Sequence, residues 1–146
     1  MQNVASVANY FLSLADEEAG DTISNLKLQK LAYYAQGFHV ALFGEPLFPE
    51  RIEAWTHGPV VPDLYHAYKQ YGNGGIPRPE AFDPESLDVK TRELLDEVYN
   101  VYGQYSAWKL RNMTHHEAPW VGAYAKGAGS VIQPDAMNAF FQTLTN

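Results

Sequence analysis

The sequence contains no cysteine among its 146 residues. This absence excludes a disulfide framework, a thiolate zinc site and a cysteine nucleophile, and it fits a reducing compartment. Basic residues are also few, and the net charge is −7. Such a charge opposes a phosphate backbone, and Lys27, Lys30, Lys109 and Arg111 are too scattered along the chain to predict a basic patch. No nucleic acid partner is therefore expected.

The sequence also lacks a long apolar run. No window approaches the roughly 18 to 20 apolar residues that a membrane-spanning helix requires, and no basic stretch precedes an apolar one at the N-terminus. We therefore expect a cytoplasmic protein with no membrane span. The length is near the commonest domain size, so residues 1–146 are expected to form one domain. The Gly- and Pro-rich stretch 72–84 is interpreted as a surface loop.

Apolar periodicity predicts a mainly α (α+β) fold, a compact bundle of about six or seven helices around a long central helix. Ser24 as N-cap and Gly44 after the last turn predict a central helix about 30 Å long, with Leu28 and Leu42 on its buried face. Caps and prolines predict that the other helices begin at or just after Asn3, Pro62, Asp88, Ser106, Pro119 and Pro134. Trp108 and Leu144 are expected to point inward.

A change to alternating polarity predicts a small β-hairpin, in which residues 52–56 pair with residues 46–48. The β-branched pair at 131–132 is expected to add a strand, giving a three-stranded sheet. Gly58 and Pro59 then predict a sharp corner from strand to helix. Such corners are either packed structural elements or binding sites, and the residues alone leave both interpretations open.

No catalytic motif stands out in the sequence. The run His115-His116-Glu117 lacks the His-Glu-x-x-His spacing, and adjacent helical histidines point about 100° apart, so no metal site is expected. The glycine-rich stretch lacks the Lys-Ser/Thr of a phosphate loop, and no cofactor is expected. A small His-dependent hydrolase using His57, His115 or His116 with Glu117 remains an alternative, which clustering of these side chains in a deep pocket would favour.

Four pieces of the sequence, in order, resemble the Panacea antitoxin domain, also called the SocA-like or phage-associated GepA-like domain. The first piece is Ile23-Ser24-Asn25-Leu26-Lys27-Leu28-Gln29-Lys30-Leu31 with Tyr33, Tyr34 and Gln36, and the second is Gly44-Glu45-Pro46-Leu47-Phe48. The third is Glu53-Ala54-Trp55-Thr56-His57-Gly58-Pro59-Val60 with Leu64-Tyr65 and Tyr71-Gly72. The fourth runs from Leu110 through Thr114-His115 to Pro119-Trp120. Each piece is weak alone, but their order and spacing are specific.

The resemblance implies a non-enzymatic antitoxin of a bacterial or phage toxin–antitoxin system, which neutralises a cognate protein toxin encoded by the adjacent gene. An adaptor that delivers the toxin to a protease is the alternative, and a homo-oligomer stays open. Partner binding is predicted for a set of aromatic and histidine side chains, because interface energy concentrates in such residues: Tyr33, Tyr34, Trp55, His57 and Trp120. Structural roles are expected for Leu28, Gly58, Pro59, His115 and Pro119.

A third hypothesis is an acidic decoy for a nucleic-acid-binding protein. An acidic decoy would associate with its partner in a salt-sensitive way, because exposed charges are screened by ions. Capture of a toxin through an apolar patch would depend little on salt.

Overall fold

The fold is built around one long helix. The computed structural model describes residues 1–145, and within them the chain forms seven α-helices and one antiparallel hairpin. The helices are α1 (Val4–Leu14), α2 (Asn25–Phe43), α3 (Pro62–Tyr68), α4 (Val89–Tyr102), α5 (Ala107–Thr114), α6 (Ala118–Ala125) and α7 (Pro134–Gln142). The hairpin consists of β1 (Glu53–Trp55) and β2 (Gly58–Val60). This architecture confirms the predicted mainly helical fold with a small hairpin.

The central helix α2 begins and ends where the sequence predicts. The Ser24 hydroxyl accepts a hydrogen bond from the backbone N–H of Lys27, and Gly44, with φ of 77°, closes the C-terminal end. Helices α1, α3, α4, α5 and α7 all pack against α2. It is therefore buried on nearly every side, including at Lys27 and Lys30. The sequence predicted one buried face for α2, whereas in the structure most of its residues are buried.

Local signals also predict the starts of the other helices correctly. The side chains of Asn3, Asp88 and Ser106 each accept a hydrogen bond from a backbone N–H in the first turn that follows. Pro62, Pro119 and Pro134 lie in the first turns of α3, α6 and α7.

No helix in this described part of the chain is both long and apolar enough to cross a membrane.

Three side chains that were expected to point inward are exposed. Trp108 is 54 % exposed, because the buried face of α5 carries Leu110 and Thr114, and positions 108 and 110 lie about 200° apart around a helix. Leu42 and Leu144 are about half exposed and line an open apolar groove between α2 and α4. Within residues 1–145 no further element covers this end of the bundle.

The predicted partner of the first strand is wrong. Strand β1 pairs with β2, with Ala54 opposite Pro59, and not with residues 46–48. Gly58 has a φ of 108°, a conformation that favours glycine, and it follows the two-residue turn that joins the strands. The expected third strand is only an isolated antiparallel bridge between Val131 and Glu53. Backbone hydrogen bonds between residues 129–132 and 52–54 nevertheless hold this segment along the outer edge of β1.

The segment 46–48 is held by a side chain instead of a strand. The Gln36 Oε1 atom accepts hydrogen bonds from the backbone N–H groups of Leu47, at 2.7 Å, and Phe48, at 3.2 Å. Its Nε2 atom donates to the Phe48 carbonyl at 2.8 Å. Because a buried backbone must be paired, Gln36 takes the place that a neighbouring strand would have had.

Candidate partner-binding site

The two tryptophan-containing motifs meet in space. The indole N–H of Trp120 donates to the Trp55 carbonyl at 2.8 Å, although the two residues are 65 positions apart. The His115 ring stacks on Trp120 with 4.0 Å between ring centroids, and Tyr124 stacks on Trp120 at 4.6 Å. Residues 55–60 and 114–120 thus form one unit, which we call the hairpin corner.

A buried lysine supports the hairpin corner from below. A Cβ atom at Gly58 would lie 2.7 Å from Cε of Lys30 and 2.8 Å from Oγ1 of Thr114, so glycine is required for this close approach. The fully buried Lys30 amine donates to the Pro59 carbonyl at 3.1 Å. Burial, and secondly the charge of Arg111, lower the pKa of Lys30 to about 7.

A partly buried carboxylate ties the same corner to α2. The two Glu117 oxygens accept hydrogen bonds from the hydroxyls of Tyr33, at 3.0 Å, and Tyr34, at 2.9 Å. Burial raises the pKa of Glu117 to about 7, while both hydrogen bonds act in the opposite direction. Sequence reasoning missed this cluster, since no local signal connects residues more than 80 positions apart.

The structure separates the five predicted partner-binding residues into an inner and an outer group. Tyr33 and Tyr34 have no exposed surface, and Trp120 is 8 % exposed. Trp55 is half-buried and His57 is exposed. In this conformation only Trp55 and His57 present a substantial surface to a partner, and partner binding by the set remains a prediction.

The five residues that were expected to have structural roles all lie in packed positions or at element ends. Leu28 is fully buried in α2, and Pro119 is buried in the first turn of α6. His115 ends α5, and burial followed by the charge of Arg111 lowers the pKa of its ring. Gly58 and Pro59 form β2 and contact Lys30.

An open groove of about 570 Å³ runs beside the hairpin corner. Trp55 and Tyr65 form one wall, with their rings edge-on at 5.0 Å between centroids, and His57 stands at the rim. Asn25 and Lys69 also line the groove. Tyr65, which belongs to the third piece of the sequence resemblance, is half-buried in this groove.

The histidines do not form a catalytic arrangement. The His39 Nδ1 atom lies 2.6 Å from the Glu45 carbonyl oxygen, and the His66 ring packs edge-on against Tyr65. Within residues 1–145, the one ion pair shorter than 4.0 Å joins Arg51 and Glu53. Neither His39 nor His66 is therefore paired with a carboxylate. The same residues contain no group of three acidic or histidine side chains that could hold a metal ion. Of the side chains named in the hydrolase alternative, Glu117 is bonded to two tyrosines, His115 is stacked on Trp120, and His57 and His116 are exposed, so no pairing of a histidine with Glu117 supports it.

The fold and the corner define a class of small, mainly helical domains in which a β-hairpin is fixed to a central helix by buried polar side chains. The chain belongs to the SocA-like Panacea domain family, because the family model described as "Antitoxin SocA-like, Panacea domain" matches residues 28–121. This range contains both halves of the hairpin corner and Glu117. The family predicted from the sequence is thereby confirmed.

One curated relative is Antitoxin SocA of Caulobacter vibrioides (strain NA1000 / CB15N). The chain is 46 % identical to it over 121 residues, which cover 74 % of this chain and 63 % of the relative. The match therefore spans less than two thirds of that relative's length. No solved structure matches the chain significantly.

Proposed function

We propose that the protein is an antitoxin that neutralises a cognate protein toxin by binding it directly. Family membership supports this role, as does the similarity to a protein named Antitoxin SocA. The groove in which Trp55, His57 and Tyr65 lie together supports this part of the surface as the toxin-binding site. Large aromatic side chains bury much area and lose little conformational entropy, and they dominate many interfaces.

The backbone around this groove is held rigidly before any partner arrives. The Trp55 carbonyl accepts from Trp120, and the Trp55 indole N–H donates to the Glu53 carboxylate at 2.9 Å. Below the turn, Lys30 holds the Pro59 carbonyl. A preorganised surface binds more tightly than a mobile one, because less entropy is lost on association.

Neutralisation through this groove requires no chemical step. A toxin segment with an apolar side chain would pack against Trp55 and Tyr65, and its polar atoms would meet Lys69, which also lines the groove. The antitoxin would thereby cover the active face of the toxin or its membrane-seeking segment.

The test is to express the product of the adjacent gene in bacteria, with and without this protein, and then to purify the complex. We expect toxicity that co-expression relieves, together with a stable complex. A harmless neighbour, or toxicity that persists, would contradict the proposal. Repeating the rescue in a host without its ATP-dependent proteases separates direct neutralisation, which persists, from delivery to a protease, which is lost.

Variants locate the surface. Trp55→Ala and Tyr65→Ala should each weaken the complex by about 2 kcal/mol, or roughly 30-fold. The matched control is Phe43→Ala, which removes an aromatic ring that is 37 % exposed at the C-terminal end of α2. If Phe43→Ala weakened the complex as much as Trp55→Ala, the groove would not be the binding surface.

A further inference from the structure

Basic side chains from distant parts of the sequence lie close together behind the hairpin turn. Arg111 lies close enough to Lys30 and His115 for its charge to lower the pKa of both groups, in each case after the larger effect of burial. The charges of Lys30 and His57 add further, smaller contributions at His115. Lys30 and Arg111, which are far apart in the sequence, are thus neighbours in space, but the fully buried Lys30 adds nothing to a basic surface patch.

No acidic side chain balances this cluster in the described residues. The one ion pair within residues 1–145 joins Arg51 and Glu53, so neither Lys30 nor Arg111 is paired with a carboxylate there. No carboxylate affects the pKa of Lys30 or of His115 either. Between Glu97 and Asp135 the sequence contains a single acidic residue, Glu117. Its carboxylate is already bonded to two tyrosine hydroxyls.

At the surface, the cluster is framed by an exposed aromatic ring. The Arg111 guanidinium lies over the Trp108 ring, with Cζ 4.4 Å from the ring centroid, and the His57 ring is 5.9 Å from Trp108. Arg111 Nη1 donates to the Asn112 side chain at 3.0 Å. Its Nε is buried and has no hydrogen-bond partner within residues 1–145, and the same holds for Nε2 of His115. We call Trp108, Arg111 and His57 the Arg111 surface.

We propose that the Arg111 surface binds a carboxylate side chain of the partner, an Asp or Glu flanked by an apolar residue that packs on Trp108. The guanidinium fork matches a carboxylate in shape, and stacking on Trp108 orients it before binding. Burial lowers the pKa of His115 below 6.5 and the pKa of Lys30 to about 7, so near neutral pH the imidazole is uncharged and the amine only partly charged. The charge that a carboxylate would meet is therefore mainly that of the arginine side chain, which keeps its proton in proteins. The inference rests on the proposed function, because the toxin is the protein that would supply this residue.

The overall charge favours a protein ligand over a nucleic acid. The chain carries −7, so a polyphosphate backbone that extended beyond the Arg111 surface would meet a repulsive field. A single carboxylate on a folded partner meets only the local charge of the Arg111 guanidinium. This guanidinium and the exposed Trp108 are complementary to such a side chain and to its apolar neighbour.

Two capped peptides, Ac-Leu-Glu-Leu-NH2 and Ac-Leu-Gln-Leu-NH2, test the chemistry without a toxin. Each is titrated into ¹⁵N-labelled protein while the three indole N–H signals are followed, and Trp108→Phe identifies one of them. We expect the Glu peptide to shift the Trp108 signal and to bind about tenfold more tightly than the Gln peptide, since a charged hydrogen bond is replaced by a neutral one. Equal binding of the two peptides would overturn the inference.

Variants of α5 provide the matched control. Arg111→Gln should abolish the preference for the Glu peptide. Lys109→Gln removes the same charge about 200° around the helix and should leave the preference unchanged. An equal effect of both variants, or binding of a single-stranded oligonucleotide in place of the peptide, would overturn the inference. If Arg111→Gln failed to fold, Trp108→Ala would decide: unchanged peptide binding by that variant would overturn the inference.

The toxin complex separates this inference from the proposed function. In that complex Arg111→Gln should weaken binding about tenfold or more, whereas Lys109→Gln should not. If the adjacent gene encodes no toxin but the Glu peptide still binds through Arg111, the proposed function fails and the carboxylate site stands. If the toxin is neutralised equally well by the Arg111→Gln variant, the proposed function stands and the carboxylate site is refuted.

Discussion

Replacing Glu117 by Gln is expected to change how the stability of the protein depends on pH. The Glu117 carboxylate lies inside the hairpin corner and accepts hydrogen bonds from Tyr33 and Tyr34. Burial raises its pKa from 4.5 to about 7. Since one pKa unit corresponds to about 1.4 kcal/mol, ionisation of this group costs about 3 kcal/mol more in the folded protein than in the unfolded chain.

The direction follows from proton binding. Because the folded pKa of Glu117 lies above the unfolded value, the folded protein holds this proton more tightly. The contribution to stability is therefore fully present below pH 4.5 and is lost as the pH rises through about 7. The Glu117→Gln variant has no titrating group here, and its carboxamide can accept from one tyrosine hydroxyl and donate to the other. The stability of the variant relative to the wild type should rise by up to about 3 kcal/mol across this range.

Urea denaturation of both proteins in buffers from about pH 5 to 8 measures this difference. Titration of Lys30 and His115 contributes to both proteins and cancels in the subtraction. The control is Asp96→Asn, which makes the same chemical change at an exposed carboxylate that the Tyr10 hydroxyl contacts at 2.6 Å. This variant measures what the same chemical change does to stability at a carboxylate that is in contact with water. A flat curve for Glu117→Gln would refute the conclusion that burial dominates at this carboxylate.

Two further changes test the packing around α2 and the corner. In Gly37→Ala the new Cβ atom would overlap the Phe141 ring, and the substitution should lower the free energy of unfolding by about 1 to 3 kcal/mol. At Gly122 nothing lies within 4 Å of the new Cβ atom, so Gly122→Ala should raise the free energy of unfolding by about 0.5 to 1 kcal/mol. Equal urea midpoints for these two variants would contradict the close contact of α2 with α7. Trp120→Phe keeps a ring on His115 but removes the indole N–H, so loss of the hydrogen bond to the Trp55 carbonyl should cost about 1 kcal/mol in the same assay. A loss of only a few tenths of a kcal/mol would show that this bond does not fix the corner.

The sequence predicts most of the helices because helix ends carry local signals. Four helices are capped by a side chain that accepts a hydrogen bond from the backbone N–H group three residues further along: those of Asn3, Ser24, Asp88 and Ser106. These contacts need no knowledge of the tertiary structure. The sequence predicted that β1 pairs with the segment 46–48. It could not show that the backbone of this segment forms hydrogen bonds with the side chain of Gln36, which lies in α2.

The interior of the candidate site could not be predicted from local patterns. Such patterns assign charged side chains to water, yet the buried Lys27 donates to the Gly103 carbonyl at 2.6 Å and the buried Lys30 donates to the Pro59 carbonyl. These partners come from segments tens of residues away. Periodicity took Trp108 for a buried residue, because it cannot say which side of a helix its neighbours cover. Tyr33 and Tyr34, which were predicted to bind a partner, are fully buried.

The arrangement of polar residues on α2 separates the residues that hold the fold from those that face a partner. Lys30 and Gln36 each pair with backbone groups of the segments that pack on α2, so the central helix fixes the course of those segments. The side chains of Trp55, His57 and Trp108 lie on the outside of that frame. Substitutions at these outer positions should change which partner is bound while the unfolding transition stays nearly the same, whereas substitutions of Lys30 or Gln36 should disturb both.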